Sequence, residues 1–133
     1  MHITLDHIVL EVRDVESTAA FYERVLGLEP VRLAEFRAGE APFVSGRVSD
    51  ETLVDYFPHD FWRDKARPQN PNHFCFTVSR REVANLRRRL ARHGIPITRQ
   101  SKRNFGAQGW GVSLYFDDPD GVSVEVRYYR HTG

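Results

Sequence analysis

The chain has 133 residues, 41% of them hydrophobic and 12% aromatic, which is enough for one compact core and too few for two ordinary independent domains. Its formal net charge is +1, which excludes a general electrostatic attraction to nucleic acid or to an anionic membrane surface. Its single cysteine excludes an intrachain disulfide, and no apolar run approaches the ~18 residues that a membrane span needs.

The first half of the chain begins with a predicted strand within residues 5–12, where apolar side chains alternate with those on the face of His7. A helix follows, because Asp14 is a suitable N-cap and an apolar stripe at helical spacing stops at Gly27. Turn residues and alternation then predict three more strands, within residues 30–37, 41–48 and 52–57.

The second half repeats this order of elements. A strand around His73 matches the strand around His7, 66 residues earlier. Ser79 and Glu82 have the spacing of a capping box, and the helix that they begin ends at Gly94. Three strands are again predicted, within residues 96–100, 112–116 and 122–128.

Each half therefore has the order β-α-β-β-β, and an internal repeat decides the fold class. We expect an α+β protein in which two such modules in tandem form an open, curved mixed sheet, a partial barrel, with the helices on the outside. The expected domain is residues 1–133, with a first module of about 1–57, a link at 58–71 and a second module of about 72–130. A short helical turn is expected near residues 61–66 of the link.

Strand alternation sorts the side chains into a helix-covered apolar face and a concave face. If the halves are related by a pseudo-twofold axis, matched positions on the concave face converge. Asp55 corresponds to Glu125, 70 residues later, as His7 corresponds to His73. The residues with chemically active side chains on this face are His7, Asp55, His73, Cys75, Ser113, Tyr115, Glu125 and Arg127.

His7, His73 and Glu125 are predicted to bind one divalent metal ion. Two neutral imidazoles and a carboxylate satisfy one another around such an ion, whereas a buried carboxylate without a partner costs several kcal/mol. This donor set occurs in non-haem Fe(II) sites and also suits Mn, Ni, Co or Zn. Asp55 has three open interpretations: a further ligand, a base or partner of the ligands, and a solvated aspartate near a strand end.

Three stretches carry a resemblance to a known family: Leu-Asp-His7-Ile-Val-Leu, Asn-His73-Phe-Cys-Phe, and Tyr115-Phe-Asp-Asp-Pro-Asp-Gly-Val-Ser-Val-Glu125-Val. The chain resembles the vicinal oxygen chelate superfamily, which includes glyoxalase I, fosfomycin-resistance transferases, extradiol dioxygenases and bleomycin-resistance proteins. The resemblance implies the same three metal ligands. In glyoxalase I the position of Asp55 resembles that of a fourth ligand, a glutamate, so the aspartate here departs from that pattern.

The resemblance also implies a metal-dependent enzyme that chelates two vicinal oxygens of a small-molecule substrate and stabilises an enolate or oxyanion. Such an enzyme is a glyoxalase-like lyase or isomerase, or a ring-cleaving dioxygenase. Tyr115 would orient or protonate a substrate oxygen, and Asp55 would be the candidate base. The predicted substrate pocket consists of Arg103, Trp110, Ser113 and Arg127.

The alternative function is a binding or sequestering protein without turnover, similar to bleomycin-resistance proteins, although these generally lack the metal triad. A third is an interaction module with a vestigial pocket. We expect a homodimer in the cytoplasm, because the edges of open sheets are often covered by a partner. Phe57, Phe61 and Trp62 fit either a pocket wall or a dimer contact. The sequence leaves open the metal, the reaction, and whether one chain supplies the whole site.

Overall fold

The computed structural model describes residues 1–130, so the last three residues of the expected domain lie outside the described range. The described chain divides into two units, one from Met1 to Asn70 and one that begins at Pro71. Each unit contains one four-stranded mixed sheet that stays open. Among the described helices, none is long and apolar enough to cross a membrane.

The first unit contains four strands and two helices. They are β1 (His7–Glu11), α1 (Val15–Leu26), β2 (Glu29–Val31), α2 (Leu33–Arg37), β3 (Val44–Arg47) and β4 (Leu53–Phe57). Strand β1 pairs with β4 in parallel, and the other pairs are antiparallel, which gives the order β1-β4-β3-β2. The predicted ends of α1 are confirmed: Asp14 accepts a hydrogen bond from Ser17 N at 3.0 Å, and Gly27 is left-handed with φ 71°.

The strand predicted within residues 30–37 is wrong over most of its length. Strand β2 ends at Val31, and Arg32 has a left-handed backbone with φ 68° that turns the chain into α2. The residues of α2 are mainly leucine, alanine, glutamate and arginine, which favour helix over strand. Arg37 also forms an ion pair of 2.7 Å with Glu16 of α1, a contact that strand alternation does not reveal.

The second unit has the predicted order without an additional helix. Its elements are β5 (His73–Thr77), α3 (Arg80–Arg92), β6 (Arg99–Gly106), β7 (Gly109–Asp117) and β8 (Ser123–Tyr128). The sheet order is β5-β8-β7-β6, with β5 and β8 parallel. The capping box is confirmed, since Ser79 and Glu82 each accept from the other's backbone N–H. Strand β6 starts later and extends further than predicted, and its register shifts between Ser101 and Asn104.

The core of each unit comes from alternate residues of its strands, which confirms the predicted apolar face. Leu10 and Tyr56 are fully buried in the first unit, as are Leu114, Phe116 and Val124 in the second. At about 25 cal/mol per Å² of apolar surface, this burial is the main stabilising contribution. Each unit thus has the α+β architecture expected from the repeat, with the opposite sheet face left for polar residues.

The segment after β4 folds back onto β1 through a buried carboxylate. Glu11 is 4% exposed and accepts hydrogen bonds from the backbone N–H groups of Arg63 at 3.1 Å and Gln69 at 2.6 Å. The Asn70 amide bonds to the backbone of the same glutamate. The helical turn expected near residues 61–66 is instead a 3₁₀ turn at His59–Phe61.

Candidate functional site

In the second unit, the structure brings His73 and Glu125 together across the parallel pair of β5 and β8. His73 Nε2 lies 3.2 Å from Glu125 Oε1. The other ring nitrogen, Nδ1, lies 2.7 Å from the Asn72 side-chain oxygen, which can only accept. Nδ1 therefore carries the proton, and the Nε2 lone pair is directed towards the carboxylate side, as in a histidine oriented for metal binding.

The Glu125 carboxylate is 2% exposed and is held by two donors. Ser113 Oγ donates to Oε2 at 2.6 Å, and Arg127 Nη2 donates to the same oxygen at 2.8 Å. Burial alone would raise the pKa of Glu125, but hydrogen bonds from Ser113 and Arg127 outweigh it and lower the pKa to about 2. The group is therefore an anion across the physiological range, with Oε1 facing His73.

This low pKa makes Glu125 a source of acid-dependent stability. Because the folded-state pKa lies below the unfolded value, the stabilisation is present above pH 4.5 and is lost as the pH falls towards 2. The free energy of unfolding of the metal-free protein should fall by up to about 3 kcal/mol over that interval through this group. Urea unfolding at several pH values measures it. Glu125→Gln should remove this part of the slope, whereas the exposed Glu29→Gln should not; equal slopes in both variants would contradict the assignment.

Tyr115 lies against the same carboxylate group. Its ring packs edge-on to that of His73, with 5.8 Å between centroids, and Asn104 Nδ2 donates to its hydroxyl at 2.9 Å. Burial of the phenol, followed by the negative charge of Glu125, raises the pKa of Tyr115 above 10. Its hydroxyl therefore stays protonated and has the character of a hydrogen-bond donor rather than a base.

Cys75 pairs with Glu125 in the register of β5 and β8. Desolvation of its thiol, followed by the charge of that carboxylate, raises the pKa of Cys75 to about 11. As the only cysteine of the sequence, it can be labelled selectively. We expect alkylation by iodoacetamide at pH 8 to be about 100-fold slower than for an ordinary thiol, because the thiolate is the reactive form. Glu125→Gln should accelerate it; an ordinary rate in the wild type would contradict the shift.

The first unit contains an equivalent pair, His7 and Asp55. His7 Nε2 lies 3.9 Å from Asp55 Oδ2, and Nδ1 lies 2.7 Å from Asp6 Oδ2. The hydrogen bond with Asp6, followed by the charge of Asp55, raises the pKa of His7. Ser45 Oγ donates to Asp55 at 2.6 Å, as Ser113 donates to Glu125.

The repeat thus extends beyond the predicted ligands to the residues that orient them. Asp6 and Asn72 each precede a histidine, and Ser45 corresponds to Ser113. The sequence reasoning did not assign Asp6, Asn72 or Ser45, although the 66-residue offset of the first pair was a usable signal. Ser45 is harder to find, because its offset of 68 differs from that of the histidines.

The predicted substrate-pocket residues separate into two groups. Ser113 and Arg127 are buried and bond to Glu125. Arg103 and Trp110 belong to the β6–β7 hairpin, where the guanidinium lies 3.7 Å from the centre of the indole ring and the tryptophan is 51% exposed. Each group therefore has partners of its own within the second unit.

The donor set of each unit fits one side of a divalent-metal site. Metal–ligand bonds of about 2.1 Å place neighbouring ligand atoms about 3.0–3.4 Å apart. The 3.2 Å between His73 Nε2 and Glu125 Oε1 lies in that range, and the 3.9 Å between His7 and Asp55 is wider. Within residues 1–130, His, Cys, Asp and Glu side chains form such pairs and no group of three that could hold an ion.

Comparison with known proteins identifies the family. The family model for the Glyoxalase/Bleomycin resistance protein/Dioxygenase superfamily matches residues 4–126. Virulence protein STM3117 of Salmonella typhimurium is 29% identical over 126 residues, covering 94% of this chain and 83% of that protein. Its crystal structure matches at a TM-score of 0.76 and 26% identity, over 97% of this chain and 98% of that one.

Two resistance-type transferases are also similar. Glutathione transferase FosA of Serratia marcescens is 30% identical over 125 residues, or 92% of this chain and 79% of that protein. Metallothiol transferase FosB of Shouchella clausii is 29% identical over 129 residues, or 97% of this chain and 80% of that protein. Together with the fold of each unit, these matches confirm the resemblance seen in the sequence: the chain belongs to the Glyoxalase/Bleomycin resistance protein/Dioxygenase superfamily.

Proposed function

We propose that this protein is a metal-dependent enzyme that acts on a small molecule with two vicinal oxygens. In this proposal His7, His73 and Glu125 bind one divalent ion, which is Fe, Mn, Ni, Co or Zn. The observation that carries it is the permanently ionised Glu125 beside the oriented Nε2 of His73. The metallothiol transferase among the relatives supports the metal, and the family resemblance supports one ion shared by both pairs.

A bound divalent ion supplies Lewis acidity that stabilises negative charge developing on substrate oxygens. The protein's own contribution is the orientation of the groups around it. Glu125 is held by Ser113 and Arg127, so little reorganisation is needed when it acts as a ligand. Tyr115 keeps its proton and donates a hydrogen bond to a substrate oxygen, and Asp55, held by Ser45, is the proposed base.

The apolar part of the substrate has a candidate contact surface in the first unit. Val9 and Phe57 belong to the sheet face of His7 and Asp55 and line a cavity together with Phe61. The ring of Phe57 lies 5.6 Å from that of Phe61. Trp62 does not take part in this way, since it is 8% exposed and its indole donates to the Phe57 carbonyl. These contacts favour a pocket wall for the two phenylalanines and support a substrate with an aromatic or apolar substituent.

Metal analysis of protein purified without chelator tests the proposal. We expect about one ion per chain in the wild type, and a loss of at least about tenfold in His7→Ala and in Glu125→Ala, because each removes a ligand. His93→Ala, which removes an exposed histidine at the end of α3, is the matched control. Equal metal content in all four proteins would contradict the proposal, and tight binding of a flat aromatic compound without metal would favour the sequestering function.

The homodimer and the cytoplasmic location also remain proposals. The outer strands of both sheets leave edges that a second copy of the chain can cover. Light scattering of the purified protein measures the assembly directly.

A further inference from the structure

Arg127 is a buried cation at the centre of the second unit's polar cluster. Its side chain is 6% exposed, and it stands on β8 two residues after Glu125, so both side chains face the same side of the sheet. A buried guanidinium needs partners for all of its five N–H groups. The partners that it has chosen determine what it can do.

Every N–H of Arg127 has an acceptor among the described residues. Nε and Nη2 donate to Glu125 Oε2 at 3.2 and 2.8 Å. Nη1 donates to the Asn104 carbonyl and the Tyr129 hydroxyl, both at 3.3 Å. Nη2 also donates to the Phe105 carbonyl at 3.2 Å. No N–H is left to bind an anionic substrate, which was the role expected of Arg127 from the sequence.

These bonds join two parts of the second unit. One side of the guanidinium holds the carboxylate oxygen that faces away from His73, and the other holds two successive backbone carbonyls at the end of β6. We propose that Arg127 is a positioning residue that fixes the orientation of Glu125 through the backbone of the β6–β7 hairpin. The proposal rests on the proposed function in that Glu125 is a metal ligand.

Gly106 provides independent support. It follows the two carbonyls that Arg127 holds, and a Cβ at this position would fall against Arg127 Nη1 and the Tyr129 hydroxyl. Its φ lies outside the left-handed region, so the close approach of the guanidinium, and not backbone strain, is the reason for glycine here. The hairpin backbone and the guanidinium are thus fitted to one another.

The first unit lacks this arrangement. Phe57 occupies the position that corresponds to Arg127, 70 residues earlier, and it packs with Phe43 and Phe61 instead. Asp55 therefore receives the serine hydrogen bond of the repeat without the guanidinium. The two carboxylates differ in their orienting partners, and only Glu125 is held on two sides by fixed donors.

Calorimetric titration of the metal-free protein with Co²⁺ tests the proposal. Arg127→Met keeps the apolar stem and removes the donors, and we expect Co²⁺ to bind about 10- to 100-fold more weakly. Arg127→Lys keeps the charge and should recover part of this loss. Gly106→Ala changes no ligand and no charge, yet it displaces the guanidinium, so a loss of about three- to tenfold is expected. Ala107→Ser, an exposed change in the same hairpin, is the control and should stay within about twofold of the wild type.

Circular dichroism and thermal unfolding show whether each variant is folded, which separates a loss of positioning from a loss of structure. A folded Arg127→Met protein with wild-type Co²⁺ affinity would overturn the proposal. If Arg127→Met does not fold, Gly106→Ala decides: weaker Co²⁺ binding supports the proposal, and unchanged binding overturns it.

A second measurement separates this proposal from the proposed function. If the wild type binds no Co²⁺, the metal proposal fails, and hydrogen exchange of the metal-free proteins tests the link between Arg127 and the hairpin. We expect the amides of residues 104–109 to exchange about tenfold faster in Gly106→Ala than in Ala107→Ser. Equal exchange in the two variants would overturn the link.

Discussion

Glu125→Gln should weaken binding of a divalent ion by at least about 100-fold, or about 3 kcal/mol, whereas Asp55→Asn should weaken it by no more than about tenfold. The two residues occupy equivalent positions of the repeat, so they are natural controls for one another. Glu125 is ionised with a pKa of about 2 and lies 3.2 Å from the nitrogen of His73. Asp55 is one methylene shorter and lies 3.9 Å from His7.

Titration of chelator-stripped protein with Mn²⁺ or Co²⁺ measures both affinities. Since Glu125→Gln leaves Arg127 without its anionic partner, its folding is checked by thermal unfolding. Glu125→Asp retains the charge at a shorter reach and should bind with intermediate affinity. A loss in Asp55→Asn equal to or greater than that in Glu125→Gln would show that the ligand roles of the two carboxylates have been assigned the wrong way round.

Phe116→Ala should lower the free energy of unfolding by about 3–5 kcal/mol, because a fully buried aromatic side chain is replaced by a cavity. Phe116 lies in β7, opposite Val124 of β8, on the apolar face of the second sheet. The loss should appear as a lower urea midpoint with little change in the denaturant slope.

Phe105→Ala is the matched control for this prediction. Phe105 lies in the neighbouring strand β6, is 71% exposed and contacts mainly the ring of Trp110. Its removal should cost no more than about 1 kcal/mol. Similar losses in the two variants would mean that the face of β7 predicted to be the core does not carry the stability of this unit.

Part of the fold follows from local rules that act within a few residues. The cap at Asp14, the capping box of Ser79 and Glu82, and the left-handed Gly27 were all predictable, because their hydrogen bonds join neighbours in the sequence. Helix α2 was not predictable by strand alternation, since its start depends on the turn at Arg32 and its end bonds to α1. The β6 register shift is likewise set by pairing with β7.

The candidate site divides in the same way. Period-two alternation placed His73, Glu125 and Arg127 on one face, and the repeat identified His7 and Asp55 as their counterparts. Alternation gives the face of a side chain but not its partner. The sequence alone therefore suggested that Arg127 binds substrate, whereas the structure shows that its donors are taken.

What the sequence determined by itself is the set of residues with the right chemistry, their face of the sheet and their pairing across the repeat, because these depend on parity and on a constant offset. Only the tertiary structure decided which oxygen of Glu125 faces His73 and which donors hold the other. The physical reason is that the two carbonyls completing the Arg127 shell come from the bulged end of β6. A backbone carbonyl has no sequence signature, so its position is known only once the strands are paired.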